Sequence, residues 1–176
     1  MAIINVGVGD IYVVKASETI TVDSEDSTLE VEANKIPHTS GGITFNYTAT
    51  KKDISDDKGE VVDSAKEDEK LTIKIGILED MVHMYEWLTE TATVDDSQEG
   101  FTIVDIGGDV QSDSKFIVRY VHTRKNGKKV RYTALVRPAD GFSEPYTKGE
   151  AKIVDCEVTA TALNSKGRLL RKKTEK

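Results

Sequence analysis

The chain has 176 residues, of which 24 are Lys or Arg and 31 are Asp or Glu, giving a formal net charge of −7. This length predicts a single domain with a core of its own. The acidic balance argues against a protein that grips nucleic acid through clustered basic residues. The single cysteine, Cys156, excludes an internal disulfide framework and a zinc site built from several thiolates.

The beginning of the chain predicts no targeting segment. Its first residues, MAIINVG, have neither a basic region nor a long apolar run, so no signal peptide is expected. No stretch approaches the roughly 18 consecutive apolar residues that a membrane-spanning helix needs. We therefore expect a protein that is made in a cytoplasm and does not bind membranes.

The first quarter of the chain predicts β-strands. Residues 10–14 are a short apolar run, and residues 28–33 (TLEVEA) alternate as a half-buried strand would. After Gly41-Gly42, the alternation is strict over 43–50 and predicts one apolar and one hydrophilic face. Its apolar set is Ile43, Phe45, Tyr47 and Ala49, and its hydrophilic set is Thr44, Asn46, Thr48 and Thr50.

Residues 51–70 differ in composition from the segments around them. They hold eight acidic side chains in twenty positions and almost no apolar face. The pattern predicts a long, solvated acidic loop, which in a compact domain is often functional. A strand is then expected over 71–77, where Leu71, Ile73 and Ile75 alternate with Thr72 and Lys74.

The next segment changes to helical spacing. Residues 78–90 are expected to form the one helix of the chain, flanking the sheet, with acidic Glu79 and Asp80 in its first turn. The apolar stripe of this helix consists of Leu78, Met81, Val82, Tyr85 and Leu88.

The second half predicts strands again, at 101–106, 115–123, 129–137 and 150–163. Asn126-Gly127 between two of them favours a hairpin with a type I′ turn. Residues 168–176 are basic and are expected to be a flexible tail after a single domain over 1–167. The fold class expected is mainly β (α+β), a sandwich or barrel with one flanking helix.

No constellation of catalytic or metal-binding residues stands out. His83 and Glu86 would share a helix face, but no third ligand lies near them, which favours a solvated helix flank. Cys156 alternates with Val154 and Val158, as expected for a buried and inert thiol. We therefore predict no enzymatic activity, no cofactor and no metal.

The order of segments resembles the major tail tube proteins of long-tailed bacteriophages, from about Val6 to Gly167. The resemblance rests on the strand GGITFNYTATK, a long polar segment, the strand KLTIKIGI, the helix ILEDMVHMYEWL, a β-hairpin and the late strand GEAKIVDCEVTATAL. It implies a β-sandwich subunit of the virion tail, made in the host bacterium. Six subunits would form a ring, and rings would stack head to tail into a hollow tube that carries DNA to the host cell. The implied partners are further copies of the chain, the tape-measure protein, and the distal tail and tail-terminator proteins.

In such a tube the hydrophilic strand face would line the channel. The lumen-facing candidates are Thr44, Asn46, Thr48, Thr50, Thr72 and Lys74. DNA would pass along this face transiently and without sequence-specific contacts, because a lumen with few basic groups holds phosphates weakly.

The distribution of charge along the chain suits stacking between unlike surfaces. Residues 1–100 carry 22 acids and 8 bases, whereas residues 101–176 carry 9 acids and 16 bases, so the halves have net charges of −14 and +7. Opposite charges on the two faces of a ring would guide assembly. The acidic candidates for contacts between subunits or rings are Asp53, Asp56, Asp57, Asp63, Glu67, Asp68 and Glu69. The basic candidates are Arg124, Lys125, Lys128, Lys129, Arg168, Arg171 and Lys172.

Two other functions remain open at this point. The first is the inner tube of a contractile tail or of a secretion or injection machine, which would share the fold. The second is a monomeric β-sandwich binding module. Such modules often display aromatic side chains, whereas the only tryptophan here, Trp87, lies on the expected helix.

Overall fold

The computed structural model describes residues 9–78, 84–109, 114–139, 141–146, 148 and 152–176, and it confirms a mainly β chain. The strands are β1 (Asp10–Lys15), β2 (Lys35–Ile36), β3 (Thr39–Ser55), β4 (Val61–Ile77), β5 (Ala92–Asp95), β6 (Ile103–Ile106), β7 (Phe116–Thr123), β8 (Lys129–Val136), β9 (Phe142–Ser143), β10 (Val154–Thr161) and β11 (Arg171–Thr174). The helices are α1 (Asp26–Leu29) and α2 (Tyr85–Leu88), with a 3₁₀ turn at Glu32–Asn34.

The main sheet has the strand order β2-β1-β7-β8-β10-β4-β3, with antiparallel pairing. The strands form two layers, one with β1, β2, β7, β8 and β11 and the other with β3, β4 and β9. Strand β10 belongs to both layers. Its residues Val154 to Thr159 pair with β4, whereas Ala160 and Thr161 pair with β8. Strands β9 and β11 add to β10 and β8, and β5 and β6 form a separate two-stranded sheet.

The main core lies between these layers. Strand β4 contributes Leu71, Ile73, Ile75 and Ile77, each no more than 2% exposed, and they meet alternate residues of β7, β8 and β10. Helix α2 closes one side with Trp87 and Leu88. This is the burial that the alternation over 71–77 predicts, since alternate residues of a strand lie on opposite faces.

The segment expected to be an acidic loop is a β-hairpin instead. Strands β3 and β4 have 17 residues each and remain paired out to Ser55 and Val61, so most of residues 51–70 are strand. A tight turn joins them, in which Asp56 accepts hydrogen bonds from the amides of Lys58 and Glu60. The prediction was wrong because a backbone ladder needs no apolar face, and it continues where the side chains are solvated.

The helix is shorter than the sequence predicts. Residues 85–88 are helical, whereas Leu78 donates its amide hydrogen to the carbonyl of His38 and Thr89 is extended. The backbone pairing of the preceding strand therefore continues through Leu78, the first residue of the expected helix. Residues 79–83, which include Met81, Val82 and His83, lie outside the described residues.

The strand expected at 28–33 is absent. Leu29 ends helix α1, and the 3₁₀ turn follows after Val31. Alternation was misleading here because Glu30 does not face water: its carboxylate is bound by buried arginines of β7 and β8.

The C-terminal segment is strand β11 rather than a flexible tail. Residues 171–174 pair with β8 from Thr133 to Val130. A basic segment is usually solvated, which is why a tail was expected. In the structure Arg171 forms an ion pair with Asp23, and Lys173 forms one with Asp26.

The hairpin of β7 and β8 is confirmed, although its turn is not type I′. Only Gly127 has a positive φ (79°) in the turn, so Asn126 is not left-handed. The backbone amide of Arg124 instead donates to the carbonyl of Lys128, and the amide of Gly127 donates to the carbonyl of Arg124. This is the pattern of a type I turn with a glycine bulge.

Candidate assembly surface

One face of the sheet formed by β3, β4 and β10 is hydrophilic. Thr44, Asn46, Thr48, Thr50 and Lys74, expected on such a face, are exposed on it. The register places Lys74 between Thr44 and Glu157, so the face extends onto β10.

Thr72 departs from this pattern, because it is only 8% exposed. It lies on the same face, between Asn46 and Thr159 of the neighbouring strands. It also hydrogen-bonds with Glu157. Its neighbours therefore cover it, and it can contribute little to a solvent-lined surface in the isolated chain.

The charge on this face is largely balanced. Lys74 Nζ lies 2.9 Å from a carboxylate oxygen of Glu157. The hydrogen bond raises the pKa of Lys74 and lowers the pKa of Glu157, so both remain ionised near neutral pH. Lys70, opposite Thr48, is a second and exposed lysine on this face. A face of hydroxyls, amides and two lysines, one of them paired, is wetted by water and offers phosphate few cations.

From Tyr47 onward, this face continues along a hairpin arm in which β3 and β4 leave the body of the protein, and we define the arm as residues 47–69. Its side chains are exposed, with Glu69 partly covered. Tyr47, expected to face the core, is 57% exposed because it lies where the arm leaves the body. The structure places all the acidic candidates on the arm, namely Asp53, Asp56, Asp57, Asp63, Glu67, Asp68 and Glu69.

The arm also exposes apolar side chains. Ile54, Val61 and Val62 are 46%, 59% and 64% exposed. A two-stranded hairpin on its own is marginally stable in water, because it has no apolar face to bury. These side chains therefore suit contact with another molecule.

Two side-chain contacts within the arm lie at its base. Tyr47 donates a hydrogen bond to Glu69, and Lys66 forms an ion pair with the same carboxylate. The bonds from Lys66 and Tyr47 lower the pKa of Glu69. Arg168 and Leu169 line a small cavity together with Tyr47 and Glu69, so the base of the arm lies beside the C-terminal segment.

Strand β3 also leaves an edge of the sheet open. It is the last strand in the order, and no strand of the described residues pairs with its outer side. Over 17 residues this edge presents unpaired amide and carbonyl groups, which can accept a strand from another chain.

The basic candidates fall into two separate groups. Arg124, Lys125, Lys128 and Lys129 surround the turn between β7 and β8. Arg168, Arg171 and Lys172 belong to the C-terminal segment, where Arg171 is bound to Asp23 and Lys172 lies 5.3 Å from the centre of the Tyr132 ring. Arg171 is therefore occupied within its own chain.

A buried ionic layer on the outer face of β7 and β8 was not foreseen. Arg119 Nη1 lies 2.6 Å from Asp26 and 3.0 Å from Glu30, and Arg131 Nε lies 2.6 Å from Glu30. Glu175 and Lys173 extend the layer to β11. The side chains of Arg119 and Arg131 are only 4% and 7% exposed.

The pKa values follow from this geometry. Burial alone would raise the pKa of Asp26, but hydrogen bonds from Lys173 and Arg119 hold it below its ordinary value. The bond from Arg131 lowers the pKa of Glu175. The layer attaches α1 and β11 to the sheet. Its only signal in the sequence was one arginine within each of two apolar strands, Arg119 in β7 and Arg131 in β8.

The described residues hold no group of three His, Cys, Asp or Glu side chains suited to a metal ion. Cys156 is buried and its thiol contacts the carbonyl of Ile75 at 3.6 Å. Burial raises the pKa of Cys156 to about 12, so the thiol is protonated at neutral pH and a poor nucleophile. His83, the other candidate, lies outside the described residues.

No family model matches the chain, and neither does any curated protein. Among the described residues, each α-helix has four residues, far fewer than a span of the bilayer requires.

Proposed function

We propose that this chain is a structural subunit of a phage tail tube, without catalytic activity. Copies assemble into hexameric rings that stack into a hollow tube in the virion tail, through which DNA passes to the host cell. The tube is built around a tape-measure protein and ends on the distal tail and tail-terminator proteins. The observation that carries the proposal is the open edge of β3 together with the exposed hairpin arm.

The open edge supports ring formation. A strand from a neighbouring copy can pair with the outer side of β3, and repeating this pairing around an axis closes a ring in which the β3 edge of every copy is covered. The arm then has a neighbour against which to bury Ile54, Val61 and Val62.

The hydrophilic face supports a role as channel lining. Thr44, Asn46, Thr48, Thr50 and Lys74 lie on the face of the strands whose edge is open, so edge-to-edge pairing would continue this face around a ring. Lys74 is paired with Glu157, which leaves Lys70 as the exposed lysine beside the listed residues, so the lining offers DNA few cations and holds it weakly.

Electron microscopy of the purified chain at high concentration tests the proposal. We expect rings or hollow tubes for the natural sequence. The variant Val61→Ser/Val62→Ser should keep the stability of the monomer within about 0.5 kcal/mol, because both side chains are exposed. It should nevertheless form far fewer rings, since it removes apolar contacts of the arm.

The matched control is Val31→Ser, an exposed valine of the body. We expect this variant to assemble like the natural sequence. A chain that stays monomeric at high concentration, with or without the substitutions, contradicts the proposal and favours a monomeric binding module.

A further inference from the structure

The small sheet of β5 and β6 forms an acidic hairpin, which we define as residues 90–109. It contains six acidic residues and no lysine or arginine. The acids are Glu90, Asp95, Asp96, Glu99, Asp105 and Asp109. This hairpin has twice the net negative charge of residues 51–70, where eight acids are offset by five lysines.

The acidic hairpin also exposes large apolar side chains. Phe101, Ile103 and Ile106 are 67%, 39% and 53% exposed. Ile103 and Ile106 lie on opposite faces of β6, so the hairpin exposes an apolar side chain on each face beside its carboxylates. Exposed apolar side chains next to charges are typical of protein-contact surfaces.

The acidic hairpin lies at one end of the β7–β8 ladder. A cleft beside β5 is lined by Thr93 and Val94 on one side and by Lys15, Phe116 and Pro138 on the other. Phe116 begins β7, and Pro138 follows the end of β8. Lys15 is a basic neighbour in this cleft and Arg137 lines a second cleft with Glu90, and together they offset only part of the negative charge.

A basic turn, defined as residues 124–129, lies at the opposite end of the same ladder. It contains Arg124, Lys125, Lys128 and Lys129 and no acidic residue. The ladder runs from Phe116 to Thr123, eight residues, which separates the two ends by about 25 Å. Glu175 binds the backbone amide of Lys129 and reduces the positive charge without cancelling it.

The base of the basic turn holds polar atoms without a partner. His122 Nδ1 and Arg124 Nε are buried and make no hydrogen bond to the described residues. Buried polar groups are normally bonded to protein or to ordered water, so these two atoms mark an incompletely satisfied position at the base of the turn.

We propose that the acidic hairpin of one copy docks onto the basic turn of the next, so that copies associate head to tail along the β7–β8 axis. The inference rests on the proposed function, because it supplies the contact between stacked rings. Unlike surfaces at opposite ends generate an open, growing stack. The acidic hairpin fits this role better than the arm, because it has the greater net charge and a defined position opposite the basic turn.

Charge reversal at both ends tests the contact. Glu99→Lys/Asp105→Lys and Lys125→Glu/Lys128→Glu should each slow tube elongation roughly tenfold or more, because like charges then face each other. The variant with all four substitutions should recover a rate within about threefold of the natural sequence, since its ends are again complementary. Glu18→Lys/Glu32→Lys, on exposed positions of the body, makes the same change in net charge and should leave elongation unchanged.

Disulfide trapping tests the contact independently of tube formation. A Glu99→Cys chain mixed with a Lys125→Cys chain should form a cross-linked heterodimer in at least roughly tenfold higher yield than a Glu18→Cys chain mixed with the same partner. Cys156 does not interfere, because it is buried and protonated. The single surface substitutions also avoid the risk that a variant with four charge changes fails to fold.

The outcomes separate the two proposals. Cross-linking together with recovery in the fourfold variant supports the head-to-tail contact. Tubes that form without this cross-link, or that are insensitive to the reversals, overturn the contact and leave the tube proposal standing. Cross-linking without rings or tubes supports the contact but contradicts the tube. A monomer that shows no cross-link overturns both.

Discussion

Strands β3 and β4 pass through two environments, and the contrast separates what stabilises the fold from what is available to a partner. In the body, β4 has Ile73 fully buried between the layers. In the arm, the same pair of strands has Ile54 46% exposed, with only the partner strand for support. The backbone ladder is common to both regions, so it cannot account for a difference in their stability. The difference in stability follows from the burial of apolar side chains, which occurs in the body and not in the arm.

The largest expected effect contrasts these two isoleucines. Ile73→Ala should lower the free energy of unfolding by about 4 kcal/mol, because it leaves a cavity in the core. Ile54→Ala should change it by less than about 0.5 kcal/mol. Urea unfolding of both variants measures this, and equal losses would mean that the arm is part of the cooperative core.

The second effect concerns the ionic layer, whose arginines are buried in the body, whereas the Lys66–Glu69 ion pair of the arm is exposed to water. Glu30→Gln should lower the free energy of unfolding by roughly 3 kcal/mol, because it leaves Arg119 and Arg131 buried with less compensating charge. The control Glu32→Gln removes an exposed carboxylate two residues away and should have little effect. Similar values for both variants would contradict the structural role of the layer.

Lowering the pH is expected to have a smaller effect on the stability of the fold. The pKa values of Asp26 and Glu175 are lowered in the folded protein, from ordinary values of 3.8 and 4.5. Their ion pairs therefore stabilise the fold fully above about pH 4.5, and this stabilisation is lost as the pH falls through the lowered values. Thermal unfolding between pH 6 and 3 measures the loss, which should be smaller in a Glu175→Gln variant. An unchanged slope in that variant would refute the contribution of Glu175.

The smallest effect compares two glycines with similar backbone angles. Gly42 and Gly59 have φ values of 71° and 82°, in the region that side chains disfavour. Gly42→Ala, at the bulge where β3 begins, should lower the free energy of unfolding by about 1 kcal/mol. Gly59→Ala, in the turn of the arm, should strain only the arm and leave global unfolding unchanged, as measured by urea. Gly141→Ala, which has open space and no positive φ, is the control and should be neutral.

The parts of the fold that sequence reasoning predicted share a local signal. The alternation of Leu71, Ile73 and Ile75 predicted the inward face of β4, and Cys156 was correctly expected to be buried. Asn126-Gly127 predicted the β7–β8 hairpin, though not its turn type. The exposed positions of Thr44, Asn46, Thr48 and Thr50 followed from the same period of two.

The failures at α1 and at the C-terminal segment share a dependence on distant residues. Glu30 lies 101 residues from Arg131, and Lys173 lies 147 residues from Asp26, so nothing near α1 or β11 indicates that these charges are paired. The acidic hairpin and the basic turn were likewise visible only as composition until the ladder placed them at opposite ends.

By itself the sequence determined the class of the fold and the faces of its strands, because side-chain alternation is written into neighbouring residues. It also determined the unequal distribution of charge between its halves. Only the tertiary structure decided that residues 51–70 form an arm and that the C-terminal segment is a strand. It also decided which charges are enclosed in the ionic layer and which remain exposed. The physical reason is that ion pairs and the pairing of β11 depend on which distant segments the fold brings into contact, whereas the arm is a local ladder that leaves no apolar pattern in the sequence.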